Sequence, residues 1–292
     1  MTITQVTDID QVVDFIHREK VAHQSYTNKL PEDKESLKTF IQVLSKEIDL
    51  YAHTSEGDIQ MMMVLIPYRE DHFKVIGPIL KDGYTLDQDT FKGLFKEMTA
   101  QFSNETVYYF AYEKENQWIK LLMKGIGASY VFTDYYLYAN KDVDASDNQH
   151  LIVDYKKAYY KHFNQLHKKT FSPDDMTTDE ILASLDEHHK LYMYMSEGLV
   201  KGYLYLVIDE ETHNAQIKYF SSHSDYRLKG IAFDLIRHAI HVSLNEYDIQ
   251  HVYFKIRSKN YRLVERFNEL GFYIDKAFKK FKLMSSDLED EL

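Results

Sequence analysis

At 292 residues, 44% apolar and 14% aromatic, the chain can bury two ordinary cores, one for each domain of about 145 residues. Its formal charge of −11, with no lysine-arginine block to offset it, argues against a nucleic-acid backbone or an anionic membrane as partner, since both would be repelled on average. Cysteine is absent, which removes disulfides, thiolate catalysis and cysteine-ligated metals.

The first residues (MTITQVTDIDQVVDFIHREK) lack the basic start and apolar run of a secretory signal. The longest apolar run, residues 61–67 (MMMVLIP), is too short to span a bilayer. The expectation is a cytoplasmic protein.

In chain order, residues 9–17 and 31–47 carry helical apolar spacing, and residues 48–53, 59–68 and 72–80 read as strands. A helix follows with Phe91, Leu94, Phe95, Met98 and Phe102 on its apolar side. Residues 107–111 (VYYFA) form a strand, a helical pattern runs from Asn116 to Gly127, and another strand closes the half. Residues 140–149 (NKDVDASDNQ) are polar and without periodicity, as an exposed join would be.

Beyond the join come strand 151–154, helices 158–169 and 178–188, and strands 190–196, 202–209 and 215–221. A helix then carries Ile231, Ala232, Leu235, Ile236, Ala239 and Ile240 as its buried stripe. Strand 251–256 (HVYFKI) leads through Asn260 into a helical pattern ending at Gly271. The acidic tail 285–292 (SSDLEDEL) reads as disordered.

The halves share a grammar. Asn116 and Asn260 each precede a glycine, Gly127 and Gly271, by eleven residues. A shift of 144 superposes Tyr109 on Tyr253, Phe110 on Phe254, Ile119 on Leu263, Met123 on Phe267 and Ile126 on Leu270. Each glycine suits a left-handed helix C-cap. This reads as a tandem repeat of one α/β (α+β) fold with a mixed sheet, in domains 1–145 and 150–284, with 285–292 as a tail.

The segment 215–240 (AQIKYFSSHSDYRLKGIAFDLIRHAI) runs from a strand through a polar turn into a helix. Small residues at the helix start admit close approach to the backbone, and a helix N-terminus offers unpaired N–H groups and a positive dipole end to a phosphate. Arg227 and Lys229 add two cations.

At these residues the chain resembles the GNAT superfamily of acetyl-CoA-dependent N-acetyltransferases. The family's Arg/Gln-x-x-Gly-x-Gly/Ala signature is met by Arg227-Leu228-Lys229-Gly230-Ile231-Ala232, and its downstream Asn, Ala, Tyr, Gly-Phe pattern by Asn260, Leu263, Phe267, Gly271 and Phe272. The resemblance covers about 130 residues of the second half and reaches the first through the repeat. It implies two tandem GNAT-like domains, each a mixed, mostly antiparallel sheet flanked by helices.

It further implies that the amides of Leu228, Lys229, Gly230, Ile231 and Ala232 hold the diphosphate of acetyl-CoA, the co-substrate. The strand edge at Phe220, Ser221 and Ser222 would align the pantetheine arm, with Asn260 and Phe267 alongside. The reaction implied is acetyl transfer to a primary amine of a small molecule or peptide, with no metal. The alternative is a weak or inactive GNAT that senses CoA or scaffolds a partner. Tandem aminoacyl transferases of the peptidoglycan-bridge type are a third reading, against which the signature loop and the acidic charge both argue.

The chain departs from the family at Phe267, which stands where relatives carry the tyrosine that protonates the leaving thiolate. Tyr219 and His223 are the local candidates for relaying a proton. In the first half the equivalent turn, 79–88 (ILKDGYTLDQ), lacks the signature, and Asp82, Asp87 and Asp89 would repel a diphosphate, so one CoA site is expected. The blander readings are a solvated helix start at Arg227 and Lys229, an N-cap at Asn260 and core packing for Phe267. Glu187, His188 and His189 have metal-ligand types, but adjacent histidines point apart, so no metal site is expected there.

Overall fold

The computed structural model describes residues 2–19, 30–141, 148–172, 175–223 and 230–288. By contacts the chain divides into two compact units, one of residues 1–134 with 277–292, the other of residues 135–276.

Unit 1 contains β1 (Thr2–Gln5), α1 (Ile9–Arg18), α2 (Lys34–Leu44), β2 (Tyr51–Ser55), β3 (Asp58–Arg69), β4 (His72–Leu80), α3 (Gln88–Thr99), β5 (Val107–Glu113) and α4 (Gln117–Gly125). Its sheet order is β1-β2-β3-β4-β5, and β5 pairs in turn with β12 (Tyr273–Met284). The β4–β5 pairing is parallel and the others are antiparallel.

Unit 2 holds β7 (Ile152–Asp154), α5 (Tyr160–Thr170), α6 (Thr178–Ala183), β8 (His189–Ser196), β9 (Leu199–Asp209), β10 (Asn214–Ser222), α7 (Ile231–Glu246), β11 (His251–Arg257) and α8 (Tyr261–Glu269). Its order is β7-β8-β9-β10-β11, again antiparallel except for a parallel β10–β11 pair. The end of β6 (Ser129–Ala139) lies beside β11. Both units therefore have the mixed, mostly antiparallel sheet expected from the sequence.

The repeat is visible in local chemistry. The β2–β3 and β8–β9 hairpins turn on Ser-Glu-Gly triplets, with Glu56 and Gly57 in one and Glu197 and Gly198 in the other, all four at positive φ. Two consecutive positive φ values match the right-handed twist of the strands they join. Helices α4 and α8 both stop at a left-handed glycine, Gly127 at φ 74° and Gly271 at φ 83°, as the spacing predicted.

Helix starts follow short polar side chains. Asp8, Asp33, Asp87 and Asn116 each accept a hydrogen bond from the backbone N–H three residues on, and Thr177 forms a capping box with Glu180. The Asp33 cap starts α2 later than the predicted 31–47 span. The predicted helix 178–188 ends at Ala183, because Asp186 Oδ1 collects the N–H groups of His188 and His189 and turns the chain.

Residues 285–288 of the predicted disordered tail form a 3-10 turn. Ser285 there is buried and donates its N–H to the Thr106 carbonyl. Residues 289–292 lie outside the described residues.

The unit 1 core gathers Phe91, Phe95, Tyr108 and Phe110 with Phe281 and Leu283 of β12. Unit 2 has a core on each side of its sheet, one under α7 and α8 around Leu235, Phe254 and Phe267, the other under α5 and α6 around Phe163, Tyr203 and Tyr219. Among the described residues no helix is long and apolar enough to cross a membrane.

Candidate functional site

The site is built where β10 and β11 part. Their parallel register covers Asn214 to Gln216 against His251 to Tyr253 and goes no further, although β10 continues to Ser222 and β11 to Arg257. Against β9, the register of β10 shifts between Ile217 and Tyr219, so Lys218 is an extra residue. Such a bulge bends a strand and re-aims its side chains. Before it, Ala215 and Ile217 face the α7 core. After it, Tyr219 faces the α5 side and Phe220 returns to the α7 side.

The α7 start completes one end of this opening. Gly230 occupies the N-cap position at φ 77° and has no side chain to cap the helix, while the N–H groups of Phe233 and Asp234 close back on its carbonyl. A left-handed cap is cheap for glycine and costly for residues with a Cβ. Among the described residues, a Cβ added at Gly230 would meet no atom within 4 Å. Ile231 is buried beneath the turn and Ala232 is half-buried.

Gly202 on β9 sets how close α7 lies to the sheet. A Cβ there would sit 2.8 Å from Ile231 Cγ2, 3.0 Å from the Ser221 carbonyl oxygen and 3.2 Å from Leu235 Cδ1. Ser221 is buried, with its Oγ 2.7 Å from Thr170 Oγ1 at the end of α5. Ser222 is half-buried, and the His223 N–H donates to the Lys201 carbonyl at 2.8 Å.

Tyr219 is buried among rings, 5.3 Å from His167, 4.8 Å from Phe171 and 6.3 Å from Tyr205 by centroids. Its hydroxyl accepts the N–H of Met176 at 3.2 Å, and the Met176 carbonyl lies 2.7 Å from His167 Nε2. Because that carbonyl can only accept, Nε2 carries the proton in neutral His167, and Nδ1 takes a hydrogen bond from the Tyr203 hydroxyl at 2.6 Å. Burial holds the His167 pKa below its ordinary value and pushes that of Tyr203 up. Tyr219 and His167 thus bolt the connection after α5 to the far half of β10.

Phe267 is fully buried, with ring centroids of Phe254, Phe233, Phe272 and Phe220 at 4.4, 5.7, 5.8 and 6.0 Å. Asn260 is exposed at the N-cap position of α8, but no side-chain capping bond accompanies it, unlike Asn116 in unit 1. Arg227, Leu228 and Lys229 lie outside the described residues.

The equivalent places in unit 1 are occupied by protein groups. Asp87 caps α3 with its own carboxylate, accepting from Thr90 N at 2.8 Å and Thr90 Oγ1 at 2.7 Å. Those bonds hold its pKa below the ordinary value, so a negative charge already sits on that helix start. Beyond the last β4–β5 register pair, the buried Tyr112 hydroxyl donates to the Gly77 carbonyl at 2.9 Å. Among the described residues no group of histidines and carboxylates is arranged to hold a metal.

Residues 154–272 match the family model described as acetyltransferase (GNAT) family. No curated protein matches the chain. Among solved structures, it is similar to a GCN5-related N-acetyltransferase from Sphaerobacter thermophilus, at 13% identity, 97% coverage of this chain, 95% of that one and TM-score 0.65. An acetyltransferase of the GNAT family from Colwellia psychrerythraea is similar at 10% identity, 97% and 100% coverage and TM-score 0.63. A tandem GNAT protein from the clavulanic acid biosynthesis pathway is similar at 10% identity, 97% and 98% coverage and TM-score 0.60. At these identities the structures speak to the fold.

Proposed function

From the match of residues 154–272 to the acetyltransferase (GNAT) family model, we propose that unit 2 transfers acetyl from acetyl-CoA to a primary amine of a small molecule or peptide. The observation that carries this reading is the left-handed start of α7 at Gly230, a residue with no side chain to cap it, beside the parting of β10 and β11.

The residues present suit the co-substrate. The first amides of α7 offer donors and a positive dipole end to the diphosphate, with no Cβ at Gly230 in the way. Phe220, Ser221 and Ser222 lie on the stretch of β10 past its register with β11, where backbone groups can pair with an extended arm. When bound, acetyl-CoA supplies the activated acyl group. The chain's part is to deliver a neutral amine beside that group, exclude water and provide for the proton the amine gives up.

Of the two proton-relay candidates, His223 at the end of β10 fits the role better. Tyr219 serves as an anchor through Met176. Phe267 has no proton to give, and its enclosure by four other phenylalanines suits a core position. In unit 1 the helix start is capped by the Asp87 carboxylate and the strand gap is crossed by the Tyr112 hydroxyl, so the features that suit a diphosphate and an extended arm are taken by protein groups.

Calorimetric titration with acetyl-CoA tests the reading. The wild-type chain should bind one equivalent, and Gly230→Glu should lose at least about tenfold in affinity, worth about 1.4 kcal/mol. Equal affinity in the two, or no binding by either, counts against the site. The buried Phe267 motivates a second reading, a CoA-binding module without turnover. Free thiol released over a panel of amines under saturating acetyl-CoA supports the enzyme, and binding without thiol release supports the module.

A further inference from the structure

Unit 1 contains a cavity of about 1020 Å³ that the acyl-transfer reading does not use. One wall is the α1 face carrying Gln11, Asp14, Phe15 and Arg18, and the other is the start of β3 and the turn after β4. Half-buried Leu80 and Tyr84 supply apolar surface over a floor of buried Phe15 and Ile59, and the size suits a small organic ligand.

The charged groups at its rim are organised. Glu19 closes α1 with a carboxylate that is only 9% exposed, accepting from the Asp82 N–H at 3.0 Å and from Arg18 Nε at 2.8 Å. This fixes the Arg18 guanidinium from behind, while its side chain stays 62% exposed at the cavity. A guanidinium held through Nε presents its outer N–H pair as a fork for a carboxylate.

One helical turn earlier on the same wall, Asp14 engages Lys34 through Oδ1. Residues four apart lie on one face of a helix, so Asp14 and Arg18 border the cavity side by side with opposite charges. Across the cavity, Asp58 adds a second carboxylate, which engages Lys81 through Oδ2. Below the rim, the Tyr84 hydroxyl lies 3.0 Å from Nδ1 of buried His53, which holds the ring in place.

We propose that this cavity is a second ligand site, taking a free α-amino acid with a large apolar side chain: Arg18 receives the carboxylate, Asp14 and Asp58 the ammonium, and Leu80 and Tyr84, over the floor of Phe15 and Ile59, the side chain. The site stands on unit 1 alone and does not depend on acyl transfer in unit 2.

Titration of the full chain with L-phenylalanine, followed by calorimetry and by the rise in melting temperature, tests it. Binding should weaken by about tenfold or more with 3-phenylpropionate, which lacks the amine, and with 2-phenylethylamine, which lacks the carboxylate. Arg18→Met should lose L-phenylalanine binding, and Asp14→Asn should weaken it, so one informs if the other fails to fold. Gly230→Glu should leave it unchanged. The proposal is overturned if neither L-phenylalanine nor L-leucine binds, if Arg18→Met binds as wild type does, or if Gly230→Glu abolishes binding and so moves the ligand to unit 2.

Discussion

The hydroxyl of Tyr112 donates to the carbonyl oxygen of Gly77 at 2.9 Å, past the point where β4 and β5 cease to pair. At the 144-residue offset, unit 2 carries Ile256, which has no hydroxyl to make such a bond. The same sheet plan thus leads to a crossed gap in one unit and a parted one in the other. Tyr112→Phe should cost about 1 kcal/mol in urea denaturation, the usual net worth of a neutral hydrogen bond. It should leave acetyl-CoA stoichiometry at one per chain, and two equivalents in the wild type would refute the assignment of unit 1.

Gly202→Ala would push a Cβ into Ile231 and the Ser221 carbonyl, one of them backbone that yields little. Overpacking of this kind costs about 1–3 kcal/mol. Because the contact sets the height of α7 over the sheet, acetyl-CoA affinity should fall with stability. Unchanged affinity in a folded variant would separate the helix start from the co-substrate site.

Phe267→Tyr introduces the residue type that the resemblance implies at this position, yet should not raise turnover. The new hydroxyl would be buried among phenylalanine rings, and an unsatisfied buried hydroxyl costs about 1–3 kcal/mol. A gain in the rate of thiol release, with stability unchanged, would show that position 267 faces the reacting atoms.

The acid side of the stability profile should depend on His167. Burial lowers its folded-state pKa below the ordinary value of about 6.5. The unfolded chain therefore takes up a proton first as pH falls. The stability this group contributes is complete above about pH 6.5 and is lost as pH falls from there through the folded-state pKa. His167→Gln should be less stable at pH 7.5 and lose less on going to pH 5.5. Parallel urea-denaturation profiles of the two proteins would show that His167 does not titrate this way.

A chain ending at Lys276 should damage unit 1 while sparing most of unit 2. Phe278 to Met284 pair with β5, and Phe281 and Leu283 are buried in the unit 1 core. Leu283→Ala, a milder change, should cost about 2–5 kcal/mol. Hydrogen exchange resolved by peptide would show faster exchange in residues 107–113, and protection as in the full chain would contradict the pairing.

Features governed by short-range rules were legible. Gly127 and Gly271 both take the left-handed conformation that their places after helix C-termini favour. The repeat survived as spacing because a helix, its stop and the preceding strand are each specified within about a dozen residues. The bulge at Lys218 left no such mark, since one extra residue flips every later side chain without changing composition. That is why Tyr219, expected as a relay, lies buried on the α5 side of the sheet. Asn260 sits where an N-cap belongs but lacks the bond, and β1, four residues at a sheet edge, is too short to show periodicity. The sequence halves run 1–145 and 150–284, whereas contacts place 277–292 with unit 1. Strand partners far apart in the chain are a non-local choice that local patterns do not encode.

This last assignment bears on how the protein is made. A ribosome releases residues 1–134 first, but the strand that covers β5 emerges only after all of residues 135–276. The unit translated second therefore has its full complement of chain before the one translated first. Until translation passes residue 284, β5 presents an open edge of the kind that recruits stray strands.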